Sequence, residues 1–190
     1  MTQARSTAAP ASRGWSRAFE LAAVVAGALA VALASQVAVP LPGTPVPMTL
    51  QPLAVLLVGG LLGARRGAQS VVFYLMLGAS GLPVFTPVGA PGLARLLGPT
   101  GGYLLAYPVA AALVGWVIAR RPGWVGLVAG PLLGMIAVHV GGVAQLVALT
   151  GSAGLAVAAG VVPFVLGDSV KVALAALILR RTMPLTRALR

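Results

Sequence analysis

The 190-residue chain has no cysteine, one histidine (His139) and two acidic residues, Glu20 and Asp168. Without a thiol it forms no disulfide, no thiolate metal site and no cysteine nucleophile, and a lone histidine rules out a histidine metal cluster. Two carboxylates far apart in the chain, with no Ser/His arrangement around them, also argue against an enzyme. Charge is scarce: 8% of the residues are charged, against about 25% in an ordinary soluble domain, and 59% are apolar. Water is therefore not the main solvent of this chain.

What is present fits a lipid environment. Gly (25) and Pro (15) are abundant without any short repeat to generate them, and both are commoner in transmembrane than in soluble helices. The net charge of +11 comes from arginines scattered in pairs between apolar runs, not from a basic patch, which excludes a nucleic-acid partner. No linker or internal repeat divides the chain, so a single all-α membrane domain is expected.

Six apolar runs are candidate spans: Phe19 to Ala38, Leu50 to Leu62, Gly67 to Gly81, Gly101 to Ala119, Val125 to Leu149 and Leu155 to Leu179. The second and third fall short of the roughly 17 residues that cross hydrocarbon. Arginines alternate with them. Arg5, Arg13 and Arg17 precede the first run, Arg65 and Arg66 join the second to the third, Arg120 and Arg121 join the fourth to the fifth, and Arg180, Arg181, Arg187 and Arg190 follow the sixth. The opposite connections hold only Arg95. Because cytoplasmic ends are enriched in Lys and Arg, both termini are expected inside: a tail 1–18, a six-helix domain 19–182 with outer loops 39–49, 82–100 and 150–154, and a tail 183–190. A secretory leader ending near Ala32-Leu33-Ala34 is the competing reading of the first run, but that run is longer than a usual signal core.

Eleven of the thirteen basic residues serve as cytoplasmic anchors, which leaves Arg95 and Lys171 to explain, together with Asp168. Lys171 lies nine residues before Arg180, roughly 13 Å into the membrane, where each ionised group costs at least about 2.5–3.5 kcal/mol to insert. Asp168 and Lys171 share a helical face at i, i+3. They are either a structural ion pair or part of a polar substrate site. Pro163, with Gly160 and Gly167, breaks the helix there and exposes backbone, as a substrate site requires.

The remaining polar features lie at the outer end. Gly98-Pro99-Thr100-Gly101-Gly102-Tyr103 enters the fourth run with Thr100 as a candidate N-cap, a setting for a polar ligand or simply a capped turn. Prolines 40, 42, 45 and 47 forbid a helix in the first outer loop and favour a stiff extended lid, and the apolar segment from Leu82 to Pro87 is expected to fold back over the bundle. Arg95 and Lys171 against Asp168 leave such a cavity at +1, suited to an anion that also donates hydrogen bonds. Ala22, Ala26, Ala30 and Ala34 form a ridge of small residues that another helix can approach closely. His139 is read as a hydrogen-bonded packing residue and left out of the site.

Four segments in order carry a family resemblance: Val46 to Leu57, Tyr74 to Gly78 with Gly81 to Phe85, Leu97 to Leu105, and Gly167-Asp168-Ser169-Val170-Lys171. The chain resembles the biotin-binding S components of energy-coupling-factor (ECF) transporters, the BioY family, from Phe19 to Leu179. The resemblance implies a six-helix S-component fold in a prokaryotic plasma membrane and a biotin pocket near the outer face. Asp168 is then expected to accept from the ureido N–H groups, Lys171 and Arg95 to hold the carboxylate, and Gln51, Phe85 and Tyr103 to wall the pocket. It implies no cofactor, biotin being the cargo, and as partners a transmembrane T component and two cytoplasmic ATPases, docked on the alanine ridge. The chain has no G-x-x-x-x-G-K-[ST] segment of its own, so any ATP coupling comes from other chains. On the residues alone, a secondary transporter with a proton on Asp168 or His139, or a purely structural subunit, also stays open.

Overall fold

The computed structural model describes residues 17–188, so Arg5, Arg13 and Arg190 lie outside the described residues, as does most of the amino-terminal tail. Nineteen residues rich in Ala, Val and Leu form α1, Arg17–Ser35, about 28 Å long and close to the thickness of bilayer hydrocarbon. It stops three residues before the expected Ala38. The chain then makes a two-residue antiparallel ladder, β1 (Ala38–Val39) on β2 (Met48–Thr49), in the register Ala38↔Thr49 and Val39↔Met48. The prolines between the strands cannot donate to a ladder, which confines it to these two pairs.

Helix α2 runs from Gln51 to Ala79 but contains Gly63 at φ 83°, ψ 173°, a conformation open essentially only to glycine. There the chain reverses. Gln51 Nε2 donates to Tyr74 Oη at 2.5 Å, and Gly67 lies so close to Gly59 that a Cβ on it would sit 2.8 Å from the Gly59 Cα. In both contacts the partners are nearly equidistant from Gly63, so the halves 51–62 and 64–79 form an antiparallel hairpin with Arg65 and Arg66 at its tip. At 1.5 Å per residue they are about 18 and 24 Å long.

The outer connection that follows carries a short helix, α3 (Leu93–Leu97), which the sequence did not signal. Helices α4 (Gly101–Arg120) and α5 (Trp124–Thr150) are joined by the Arg120–Arg121 turn. The last expected span is not continuous: α6 (Ala153–Gly160) and α7 (Val165–Ala188) are separated by a 3-10 turn at Val162–Phe164. Pro163 accounts for it, since its ring has no N–H and clashes with the preceding turn. Among the described residues, four stretches are long and apolar enough to cross a membrane: Arg17–Ser35, Gly101–Arg120, Trp124–Thr150 and Ala153–Met183.

The core lies between α2, α4, α5 and α7, around Leu56, Val55, Ala110, Ala111, Val114 and Leu179. Outward, large apolar side chains are laid bare, Leu33 at 71% and Leu166 at 80% exposure, as lipid contact permits and water does not. One end of the bundle gathers the basic residues: Arg66 pairs with Glu20 at 2.7 Å, and Arg120 and Arg180 stack on Trp116 and Trp124. The opposite end is covered by the β ladder and the 82–100 connection.

Candidate functional site

Under that cover lies a narrow cavity of about 50 Å³. Both outer connections and four helices contribute to it: Val46, Pro47 and Thr49 from the first outer loop, Gln51 from the start of α2, Phe85, Thr86 and Arg95 from the second connection, Tyr103 and Tyr107 from α4, His139 from α5, and Asp168 and Lys171 from α7. All six residues singled out in the sequence line it, and none is more than 7% exposed: Gln51, Phe85, Arg95, Tyr103, Asp168 and Lys171.

The break before α7 organises the polar side of the cavity. Because the Phe164 N–H bonds the Val161 carbonyl at 2.9 Å, the Gly160 carbonyl is not used by the helix, and Tyr103 Oη donates to it at 2.7 Å. Tyr103 is thus a strut between α4 and the break. The same break makes α7 begin at Val165, which puts Asp168 in its first turn, where the helix dipole favours a negative charge. Lys171 Nζ donates to Asp168 Oδ1 at 2.8 Å, one turn along the same helix. His139 Nε2 stands 2.9 Å from the other carboxylate oxygen, Oδ2.

The cover is tied down by side chains. Arg95 donates from Nε to the Ala90 carbonyl at 2.9 Å and from Nη2 to the Thr86 carbonyl at 2.8 Å, so its guanidinium folds the 86–90 segment around itself. Burial lowers the pKa of this guanidinium from its ordinary value, which still leaves it charged. Gln145 of α5 donates to the carbonyls of Leu96 and Gly98, at 3.0 and 2.6 Å, and fixes α3 against the bundle. At the end of α1, Ser35 Oγ donates to the Val84 carbonyl at 2.7 Å and Gln36 Nε2 to the Phe85 carbonyl at 3.2 Å. The Phe85 ring meets Tyr74 edge-on, centroids 5.5 Å apart, in space that a Cβ at Gly78 would occupy. Thr100 occupies the N-cap position of α4 and lines the cavity but makes no side-chain capping hydrogen bond, so its expected role as a cap is not realised.

His139 was not assigned to the site from the sequence, and the structure places it there. The signal was available: a titratable residue within an apolar span needs a polar partner, and the only acidic residues in the chain are Glu20, near a basic end, and Asp168. The alanine ridge lies elsewhere. Ala22, Ala26 and Ala30 are exposed and Ala34 half-buried, because α1 packs inward through Gly27, Ala28, Val31 and Ser35.

A helical membrane bundle that encloses one carboxylate, two cationic side chains and an imidazole beneath a covered outer end belongs to the class of membrane proteins that bind a small polar solute. The sequence model of the BioY family matches residues 5–188, and the chain belongs to the BioY family. It is 39% identical over 137 residues to the probable biotin transporter BioY of Pyrococcus horikoshii, covering 72% of this chain and 80% of that one. With the biotin transporter BioY of Rhodobacter capsulatus the identity is 39% over 171 residues, covering 80% and 86%. A 2.1 Å crystal structure of the S-component for biotin from an ECF-type ABC transporter superposes with a TM-score of 0.80 at 30% identity, covering 88% of this chain and 92% of that one.

Proposed function

We propose that the chain is the biotin-binding S component of an ECF-type vitamin-uptake transporter, a multi-pass membrane protein that captures biotin on the outer side and has no catalytic role of its own. The observation that carries this reading is the buried Asp168–Lys171 pair lining a cavity with Arg95, in a chain whose relatives are biotin transporters. Biotin offers two ureido N–H donors and one carboxylate. Asp168 accepts from the ureido group, Lys171 and Arg95 hold the carboxylate, and Gln51, Phe85 and Tyr103 wall the ring system. The cavity has room for a few waters, so entry requires the segments 39–49 and 82–92 to swing outward.

With the hairpin at Gly63 counted as two crossings and α6–α7 as one, the chain crosses the membrane six times, and the positive-inside rule puts both termini in the cytoplasm. The ridge Ala22, Ala26, Ala30 and Ala34 is the docking face for a transmembrane T component, and two cytoplasmic ATPases supply the ATP hydrolysis that drives release inside. The contact between His139 and Asp168 favours a second reading, a stand-alone carrier in which that pair moves a coupling proton.

Labelled-biotin uptake separates the two. In a bacterial host without its own biotin importer, an S component takes up biotin only with the T component and ATPases, and uptake persists when a protonophore collapses the proton gradient while ATP is maintained. Uptake by the chain alone that the protonophore abolishes would establish the carrier.

A further inference from the structure

His139 is the only histidine of the chain, and its two ring nitrogens have opposite fates. Nε2 faces Asp168 Oδ2 at 2.9 Å, whereas Nδ1 is buried with no hydrogen-bond partner. A bare nitrogen lone pair would repel the carboxylate oxygen, so Nε2 carries the proton and donates it, which in the neutral ring leaves Nδ1 as the orphaned acceptor. Burying that acceptor costs free energy that a phenylalanine or leucine at the same place would not. The compensating gain is the Nε2–H bond to Asp168. The ring also meets Tyr103 edge-on, centroids 6.3 Å apart.

The bond matters because of what Asp168 does without it. Lys171 is one turn away on the same helix and holds only Oδ1. With His139 removed, the carboxylate is free to rotate and close on the Lys171 ammonium with both oxygens, turning its acceptors away from the cavity. With both in place, one oxygen is anchored from α5 and the other from α7, and the carboxylate plane is fixed.

We propose that His139 is a positioning residue that holds the Asp168 carboxylate for N–H donors of the ligand, and thereby sets selectivity for ureido-bearing ligands over anions with only an apolar ring. This inference rests on the biotin reading above. Its natural control ligand is lipoate, which keeps a sulfur ring and a five-carbon acid tail and has no N–H donor.

The test uses the full chain, purified without a histidine tag, with its single histidine labelled with ¹⁵N, and competition binding of biotin and lipoate. The label should report a proton on Nε2 and a bare Nδ1, and its signal should move in Asp168→Asn. In His139→Phe the ratio of biotin to lipoate affinity should fall by about ten- to hundredfold, the effect of losing a hydrogen bond to a charged group. His139→Gln, whose side-chain amide reaches the Nε2 position, should restore most of that ratio. A proton on Nδ1, a signal indifferent to Asp168→Asn, an unchanged ratio in His139→Phe, or no rescue by glutamine overturns the proposal. A well-folded wild type that binds no biotin contradicts the proposed function instead. The label then decides alone: an Nε2–H signal that moves with Asp168→Asn supports the positioning of Asp168, and one that does not overturns it.

Discussion

Lys171 Nζ and Asp168 Oδ1 lie 2.8 Å apart, and both side chains are at most 9% exposed, so removing Asp168 strands the Lys171 ammonium and removing Lys171 leaves the Asp168 charge with only the His139 imidazole. Breaking a buried pair from one side costs about 3–5 kcal/mol, whereas replacing both members with neutral groups is often nearly neutral. Lys171→Met alone should therefore lower the melting temperature sharply. The double variant Asp168→Asn/Lys171→Met should recover much of that stability and still fail to bind biotin. Thermal unfolding in detergent with parallel binding measurements checks this, and a double variant that binds biotin like the wild type would reduce the pair to a structural role.

Arg95 holds the cover through two carbonyls, so shape matters as well as charge. Arg95→Lys keeps the cation but cannot serve Thr86 and Ala90 in the same planar fork. Losing one charged hydrogen bond, about 1.5–3 kcal/mol, should speed biotin dissociation about tenfold or more. Hydrogen exchange in residues 84–90 should rise in the same variant; unchanged exchange would show that Arg95 does not hold this segment in place.

Tyr103 is set by two small neighbours. Tyr103→Phe leaves the Gly160 carbonyl without its partner, a loss of about 1–3 kcal/mol readable in thermal unfolding. A Cβ at Gly142 would overlap the Tyr103 ring, so Gly142→Ala should push that ring toward the cavity. The expected result is weaker biotin binding in Gly142→Ala than in Tyr103→Phe.

The hairpin tip depends on one residue. At φ 83°, ψ 173°, Gly63 occupies backbone space that an alanine enters only at a cost of about 1–3 kcal/mol. Gly63→Ala should lower the melting temperature while the folded fraction keeps its biotin affinity, because the tip is at the opposite end from the cavity.

How much of this was legible beforehand depended on the kind of signal. Pro163 announced the break before Asp168 because a proline cannot continue a helix, and mid-membrane Lys171 announced a partner because an unpaired charge there is too costly. Gln51, Phe85 and Tyr103 were reached through resemblance, and the cavity brings all of them together. The short helix α3 was not legible, since five residues give no period, and neither was the β ladder, whose strands are two residues each. His139 was missed because its partner is 29 residues away on another helix, a distance that no local spacing rule covers.

The most direct measurement is equilibrium binding of biotin to the purified chain alone, with Asp168→Asn and Lys171→Ala in parallel. The account predicts one biotin per chain, with affinity reduced at least about tenfold, or about 1.4 kcal/mol, by either substitution. A well-folded wild type that binds no biotin, or variants that bind it as tightly as the wild type, would contradict it.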